Sequence, residues 1–175
     1  MILYLIRHGK TEGNSKDLVQ GRKDVMLSEE GIKEAEKLKD LVKSLDIDVV
    51  ISSPLKRAVD TAKIITDKNI NIDDRLIERD WGLNEGASIM EVDTVKCWNV
   101  YLNTNDNGIE PIKDFLLRLS EFIEDTKAKY KDEKVLVVTH SAVLRGMHYI
   151  INGIPEDGDL SKIDIPNLRI IEYEI

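Results

Sequence analysis

Three short stretches carry side chains able to hold and transfer an anion: Arg7-His8-Gly9, Arg57 and His140. Arginine presents five N–H donors in a planar fork, and two such forks can grip phosphoryl oxygens while leaving one face of phosphorus open to in-line attack. A neutral imidazole can make that attack. An ordinary histidine pKa of about 6.5 leaves much of the ring uncharged near neutrality, and neighbouring guanidinium groups disfavour its protonation further. These residue types point to phosphoryl chemistry, with His8 as nucleophile, Arg7 and Arg57 as clamps, and a positively charged His140 at the rim as a further donor. No Cys-x-x-Cys or His-x-x-x-His spacing suggests a metal. An Arg-His-Gly triplet by itself arises by chance in roughly one chain of this length in a hundred, so the argument depends on how the elements place it.

The apolar run Ile2 to Ile6 reads as a buried strand that delivers Arg7 and His8 at its carboxyl end, with Gly9 allowing a turn and close approach of a ligand. The polar loop Gly9 to Leu27, containing Asn14, Gln20 and Gly21, is expected to rim the pocket. Ser28 caps an amphipathic helix whose apolar positions are Ile32, Ala35, Leu38, Leu41, Val42 and Leu45. A second strand, Asp48 to Ser52, leads through Ser53 as cap and Pro54 into a helix with Arg57 in its first turn. Ile70 and Ile72 suggest a short strand, Arg75 to Gly86 a charged lid or wall, and Ile89 to Leu102 a weak helix in which Cys97, Trp98 and Tyr101 pack. A long helix from Ile112 to Lys129 precedes the strand Lys134 to Thr139, which ends at His140. The next helix, Ser141 to Ile151, turns its first amides, Ser141 among them, toward an anion beside His140. Leu168 to Tyr173 reads as the last strand, and His148 as a structural residue.

Strands alternating with helices predict an α/β fold, a three-layer α-β-α sandwich on a mostly parallel sheet, with residues 1–175 as one domain. Ligands of such sheets bind beyond the carboxyl ends of the strands. Arg7 with His8, Arg57 and His140 therefore converge on one edge.

Composition limits the partners. A chain of 175 residues with 33% charged residues and a net charge of −8 is not drawn in bulk to nucleic acid or an anionic membrane, so an anion site must be a local cluster. One cysteine excludes an internal disulfide and fits a reduced, cytoplasmic setting. No apolar run approaches the ~18 residues of a membrane span, and the amino terminus has no secretory pattern.

Arg7-His8-Gly9 with Asn14, the block Ser52-Ser53-Pro54-Leu55-Lys56-Arg57-Ala58-Val59-Asp60-Thr61-Ala62, and Thr139-His140 together resemble the histidine phosphatase superfamily, the group that includes the cofactor-dependent phosphoglycerate mutases. The resemblance implies a phosphohistidine mechanism on His8, with Arg7, Asn14, Arg57 and His140 around the phosphoryl group. It also implies an acid: Leu76-Ile77-Glu78-Arg79-Asp80-Trp81-Gly82 looks like the family's proton-donor segment, and Glu78 is the matching position. Residue types alone leave Glu78, Asp80 and Glu85 undistinguished. The chain departs from the pattern at Lys10, Met26 and Ser141, and Lys10 is expected to add positive potential at the pocket mouth. The implied activity is metal-independent hydrolysis of a small phosphorylated metabolite by a monomer or homodimer without a cofactor. A mutase is the nearest alternative, kept open by Arg22 and Arg79 as contacts for a second anion and disfavoured by the short segment between Gly86 and Pro111. A phospholigand-binding protein without turnover is a third reading, whereas a dinucleotide-binding fold lacks its Gly-x-Gly-x-x-Gly signature.

Overall fold

The computed structural model describes residues 1–175. Five strands, β1 (Ile2–Arg7), β2 (Val49–Ser52), β3 (Ile70–Ile72), β4 (Lys134–Thr139) and β5 (Ile170–Glu174), form one sheet in the order β3-β2-β4-β1-β5. The first four are parallel, and β5 runs antiparallel along the outer edge of β1. Successive side chains of a strand point to opposite faces, so the continuous apolar runs of β1 and β4 supply two cores. Leu3, Leu5, Val135 and Val137 enter the larger core with Trp98, Phe115, Leu119 and Met147. Tyr4, Ile6, Leu136 and Val138 enter the smaller one with Ala35, Val42, Ala58, Ala62 and Ile65.

Between β1 and β2 lie α1 (Glu12–Ser15), α2 (Glu29–Glu36) and α3 (Lys39–Ser44), and α4 (Lys56–Ile65) follows β2. Helices α2, α3 and α4 cover the smaller core. A single helical turn, α5 (Thr94–Cys97), precedes α6 (Ile112–Lys129) and α7 (Ser141–Asn152), which cover the larger core. The expected three-layer α/β architecture is what forms. No helix is long and apolar enough to cross a membrane.

Register brings the strand ends together. Arg7 pairs with Thr139 and Ser52 with Val138, so His8, Ser53 and His140 each stand one residue beyond the end of three adjacent strands. The His8 amide continues the ladder to the Thr139 carbonyl at 2.9 Å, and the Ser53 amide reaches the Val138 carbonyl at 3.0 Å.

Three expected elements differ. The helix begun at Ser28 breaks at Lys37-Leu38, where the Leu38 amide bonds Ala35 three residues back, tightening the turn and leaving Ile32 and Leu41 exposed. The helix read over 89–102 reduces to a 3-10 turn, Ile89–Glu91, and α5. Ser88, Asp93 and Asn99 each bond a nearby backbone amide there, competing with a continuous helix. The last strand starts at Ile170 because Leu168 takes a positive φ of 62°, which a strand cannot include.

Candidate active site

His8 is 3% exposed at the end of β1. Its Nδ1 lies 2.7 Å from the Gly9 carbonyl, an acceptor only, so Nδ1 carries the proton and Nε2 keeps a lone pair. Arg57 Nε donates to that lone pair at 3.2 Å. Burial, then the charges of Arg57 and Arg7, hold the His8 pKa well below the usual histidine range, so the ring is neutral near pH 7. Gly9 is small for a reason other than the expected approach of a ligand: a Cβ there would lie 3.0 Å from the Gly31 carbonyl oxygen. Its amide donates to Thr61 Oγ1 at 2.9 Å, tying the β1 turn to α4.

His140 is fully buried, and its ring centroid is 5.2 Å from that of His8. Burial first, then Arg57, His8 and Arg7, depress its pKa well below the ordinary value. The expectation of a charged rim residue is therefore corrected: His140 is held neutral, buried directly beside His8 rather than at an open rim. Its Nε2 contacts Ser53 Oγ at 2.7 Å, while its buried Nδ1 has no partner. Ser53 is thus not the helix cap it was expected to be. The chain bends at Pro54-Leu55, α4 begins at Lys56 with Leu55 as its cap residue, and Ser53 holds a histidine.

Arg57, in the first turn of α4, is 1% exposed and fixed from three sides. Nη1 donates to the Lys23 carbonyl and Nη2 to the Gly21 carbonyl, both at 2.7 Å. Gly21 has φ +53°, and a Cβ would fall 1.9 Å from Glu85 Oε1, so this holding turn requires glycine. Arg7 donates through Nη1 to the Ile165 carbonyl at 2.7 Å and leaves a buried Nε without a partner. Asn14 and Gln20 line the cavity with their carboxamide oxygens already held by Thr11.

Glu78 is 7% exposed. Its Oε1 accepts from the Arg79 amide at 2.9 Å and Oε2 from the Ala142 amide, at the start of α7, at 3.4 Å. Burial raises its pKa, opposed by Arg57, the two amides and Arg7. Of the three acids that residue types left open, Glu78 lines the cavity while Asp80 and Glu85 do not. Glu85 instead accepts from the Arg22 amide, and Asp80 accepts from the Gly82 amide.

These groups meet in a cavity of about 450 Å³, lined by Arg7, His8, Arg57, Glu78 and Ser141 together with the rim residues Asn14, Gln20 and Gly21. Sequence reasoning missed Arg145, Asp164 and Asn167, which also line it. Arg145 had a legible signal, one turn after Ser141 and so on the same face of α7. The other two lie in an irregular segment, where no periodicity marks a direction. No cluster of side chains able to hold a metal ion is present.

The sequence model of the histidine phosphatase superfamily (branch 1) matches residues 3–175. The chain belongs to that superfamily. It is a histidine-nucleophile phosphatase. The uncharacterized phosphatase PhoE of Bacillus subtilis (strain 168) is 32% identical over 174 residues, covering 97% of this chain and 86% of PhoE. A 2,3-bisphosphoglycerate-dependent phosphoglycerate mutase of Rhizobium etli is 31% identical over 189 residues, covering 99% of this chain and 90% of the mutase. Among solved structures, YhfR of Bacillus stearothermophilus superposes with a TM-score of 0.87 at 26% identity, over 99% of this chain and 91% of that one. The match to the mutase runs over 189 positions against the 175 residues of this chain, so the mutase carries additional residues within the matched region.

Side chains outside the cavity explain several other residues. Lys10 pairs with Glu30 at 2.8 Å and Glu34 at 3.0 Å, so it adds no free charge at the mouth. Arg79 is fully buried, donating to the Glu110 and Cys97 carbonyls and lying 5.0 Å over the Trp98 ring, with burial lowering its pKa to about 10. Arg22 pairs with Asp80 and Glu110 and donates to the Glu78 carbonyl at 3.2 Å. Neither arginine is free for a second anion, and both instead hold the Glu78 segment. Cys97 packs in the larger core, and His148 bonds Tyr173 Oη at 2.8 Å.

Proposed function

We propose that the chain, acting as one domain, hydrolyses a small phosphate monoester in two steps through a phosphohistidine on His8. In the first, the Nε2 lone pair attacks phosphorus and the bond to the ester oxygen breaks. Protonated Glu78 gives its proton to that oxygen, which leaves as an alcohol. In the second, Glu78, now a carboxylate, takes a proton from water as the water oxygen attacks phosphorus. The P–N bond returns its electron pair to Nε2, phosphate is released, and Glu78 is again protonated. The Gly9 carbonyl on Nδ1–H stabilises the positive ring of the intermediate.

Arg57 Nε, which bonds Nε2 in the free protein, moves its donor to a phosphoryl oxygen when substrate arrives. Arg7 Nε and His140 Nδ1 are the unpartnered buried polar atoms nearest this chemistry. With Ser53 Oγ–H donating to Nε2, His140 carries its proton on Nδ1 and offers a neutral donor to phosphoryl oxygens. Asn14, Gln20 and Ser141, with the Gly21 turn, complete the substrate-binding rim.

The observation that carries this reading is the tautomer: Nδ1 tied to a carbonyl leaves Nε2 as an unprotonated nucleophile beside two guanidinium groups. Transfer to water rather than to a second substrate oxygen is favoured because Arg22 and Arg79 are committed internally, so a bisphosphorylated intermediate finds no second arginine pair.

The test combines rapid-quench labelling with chelation. The protein should form an acid-labile, alkali-stable phosphoprotein that His8→Ala abolishes, and hydrolysis of an aryl phosphate should survive a chelator. Loss of turnover on chelation, restored by a divalent metal, would refute the scheme.

A further inference from the structure

Arg22 takes no part in the two steps above and does not line the cavity, yet it stands between the two groups those steps must align. The carbonyls of its neighbours on either side, Gly21 and Lys23, each accept from Arg57 at 2.7 Å. Its own side chain reaches across to the acid, where Nε donates to the Glu78 carbonyl at 3.2 Å. One tripeptide thus holds the phosphoryl clamp by its main chain and the general acid by its middle side chain.

That carbonyl belongs to the peptide joining Glu78 to Arg79, and the N–H of the same peptide donates to Glu78 Oε1 at 2.9 Å. A peptide group is planar, so fixing the direction of its carbonyl fixes the direction of its N–H. A guanidinium on the carbonyl also polarises the group and strengthens the N–H as a donor. Arg22 therefore acts on the carboxyl through a single rigid unit. Oε1 stays engaged by the Arg79 amide, and Oε2, with only the 3.4 Å contact from the Ala142 amide, is the oxygen left to carry the transferable proton. Arg118 Nη2 reaches the same carbonyl at 3.4 Å, a longer contact than that of Arg22.

Arg22 is anchored in turn. Its guanidinium lies 3.3 Å from Glu110 Oε2 and 3.5 Å from Asp80 Oδ2. Glu110, with its side chain 13% exposed, is gripped by Arg118 through Nε at 2.8 Å and Nη2 at 3.0 Å, and it accepts from the Asp80 amide at 3.3 Å. Glu85 Oε1 accepts from the Arg22 amide at 2.7 Å, and the Glu85 carbonyl accepts from Lys23 Nζ at 2.9 Å. The turn that holds Arg57 is thus tied to the acid's segment at residues 78 and 85, and the tie at 78 is the one that bears on the reacting carboxyl.

We propose that Arg22 is a positioning residue for the general acid: acting through the 78–79 peptide, and anchored by Glu110, it holds the Glu78 carboxyl in line with the Arg57 clamp so that Oε2 meets the departing oxygen. The inference rests on the proposed phosphatase mechanism and adds the residue that aligns its two halves.

The test compares kcat/KM for an alkyl and an aryl phosphate in the full-length protein. In kcat/KM only the steps up to departure of the alcohol count, so activation of water does not enter. Arg22→Met should lower the value for the alkyl ester about 10- to 100-fold and that for the aryl ester by less than about threefold, because a phenolate leaves with little protonation. Arg22→Lys keeps a charged donor and should recover part of the alkyl rate. Glu110→Gln loosens the same contact, so its alkyl-selective loss should not add to that of Arg22→Met in the double variant. The Arg22 side chain is 37% exposed, so its replacement leaves the cores packed. Should Arg22→Met or Glu110→Gln nevertheless fail to fold, an alkyl-selective loss in Arg22→Lys decides. Equal losses on both esters, or no loss on the alkyl ester, overturn the positioning role. Glu78→Gln is the control: if it loses alkyl activity selectively while the Arg22 variants do not, the positioning role alone falls, whereas an equal loss on both esters in Glu78→Gln removes the acid role of Glu78 itself.

Discussion

Replacing Glu78 with glutamine separates chemistry from stability, because the two should move in opposite directions. Glutamine keeps the side-chain volume and an oxygen for the Arg79 amide, 2.9 Å away, and gives up only the long contact from the Ala142 amide. That loss costs about 1 kcal/mol. Against it stands the relief of a buried ionisable group. Burial raises the folded-state pKa of Glu78 above its unfolded value. The folded protein therefore holds more protons than the unfolded chain between those two values, and its stability falls as pH rises through that window. Each unit of elevation corresponds to about 1.4 kcal/mol of this penalty. Glutamine does not ionise and escapes it. Glu78→Gln should therefore gain thermal stability relative to wild type as pH rises from the unfolded carboxylate range past the folded pKa, with no gain below it. Activity should fall on the order of 10²- to 10⁴-fold for an alkyl phosphate, the usual size of a general acid–base contribution. With an aryl phosphate, whose leaving group needs little protonation, a stopped-flow burst of phenolate close to one equivalent should precede slow turnover, because water is no longer activated. Undiminished alkyl phosphatase activity, or a stability difference that is largest at acidic pH, would refute the reasoning.

Arg57→Gln should lower kcat/KM by about 10²- to 10³-fold and move its acid limb to higher pH, because Arg57 is one of the charges that depress the His8 pKa; a pH profile checks both. Ser53→Ala should reduce kcat/KM roughly tenfold by freeing His140 Nε2, and nitrogen NMR should show a mixed tautomer at His140 in place of a single one. Lys10→Glu should leave the KM for phosphate esters unchanged across salt concentrations, since Lys10 is already neutralised by Glu30 and Glu34; a salt-dependent rise in KM would contradict that.

The sequence by itself determined the scaffold and the sheet edge at which the candidate site lies. Buried strands such as Ile2–Arg7 and Lys134–Thr139 announce themselves as apolar runs, and a parallel sheet has only one edge at which their ends can meet. It also supplied Arg7, His8, Arg57 and His140, because arginine and histidine at strand ends are rare enough to notice. Glu78 needed the family pattern, since one acid in a charged loop looks like another until burial distinguishes them. Only the tertiary structure decided which ring nitrogen of His8 is free, because that depends on a carbonyl 2.7 Å away. The same holds for the neutrality of His140 and the role of Ser53, which are set by what other strands bury around them. Arg22, Arg79 and Arg145 are indistinguishable as letters. Packing commits the first two to the Glu78 segment and leaves the third over Trp98 with an unused donor. Charge and residue type are local properties that a sequence states outright, whereas desolvation and hydrogen-bond satisfaction belong to the assembled cavity.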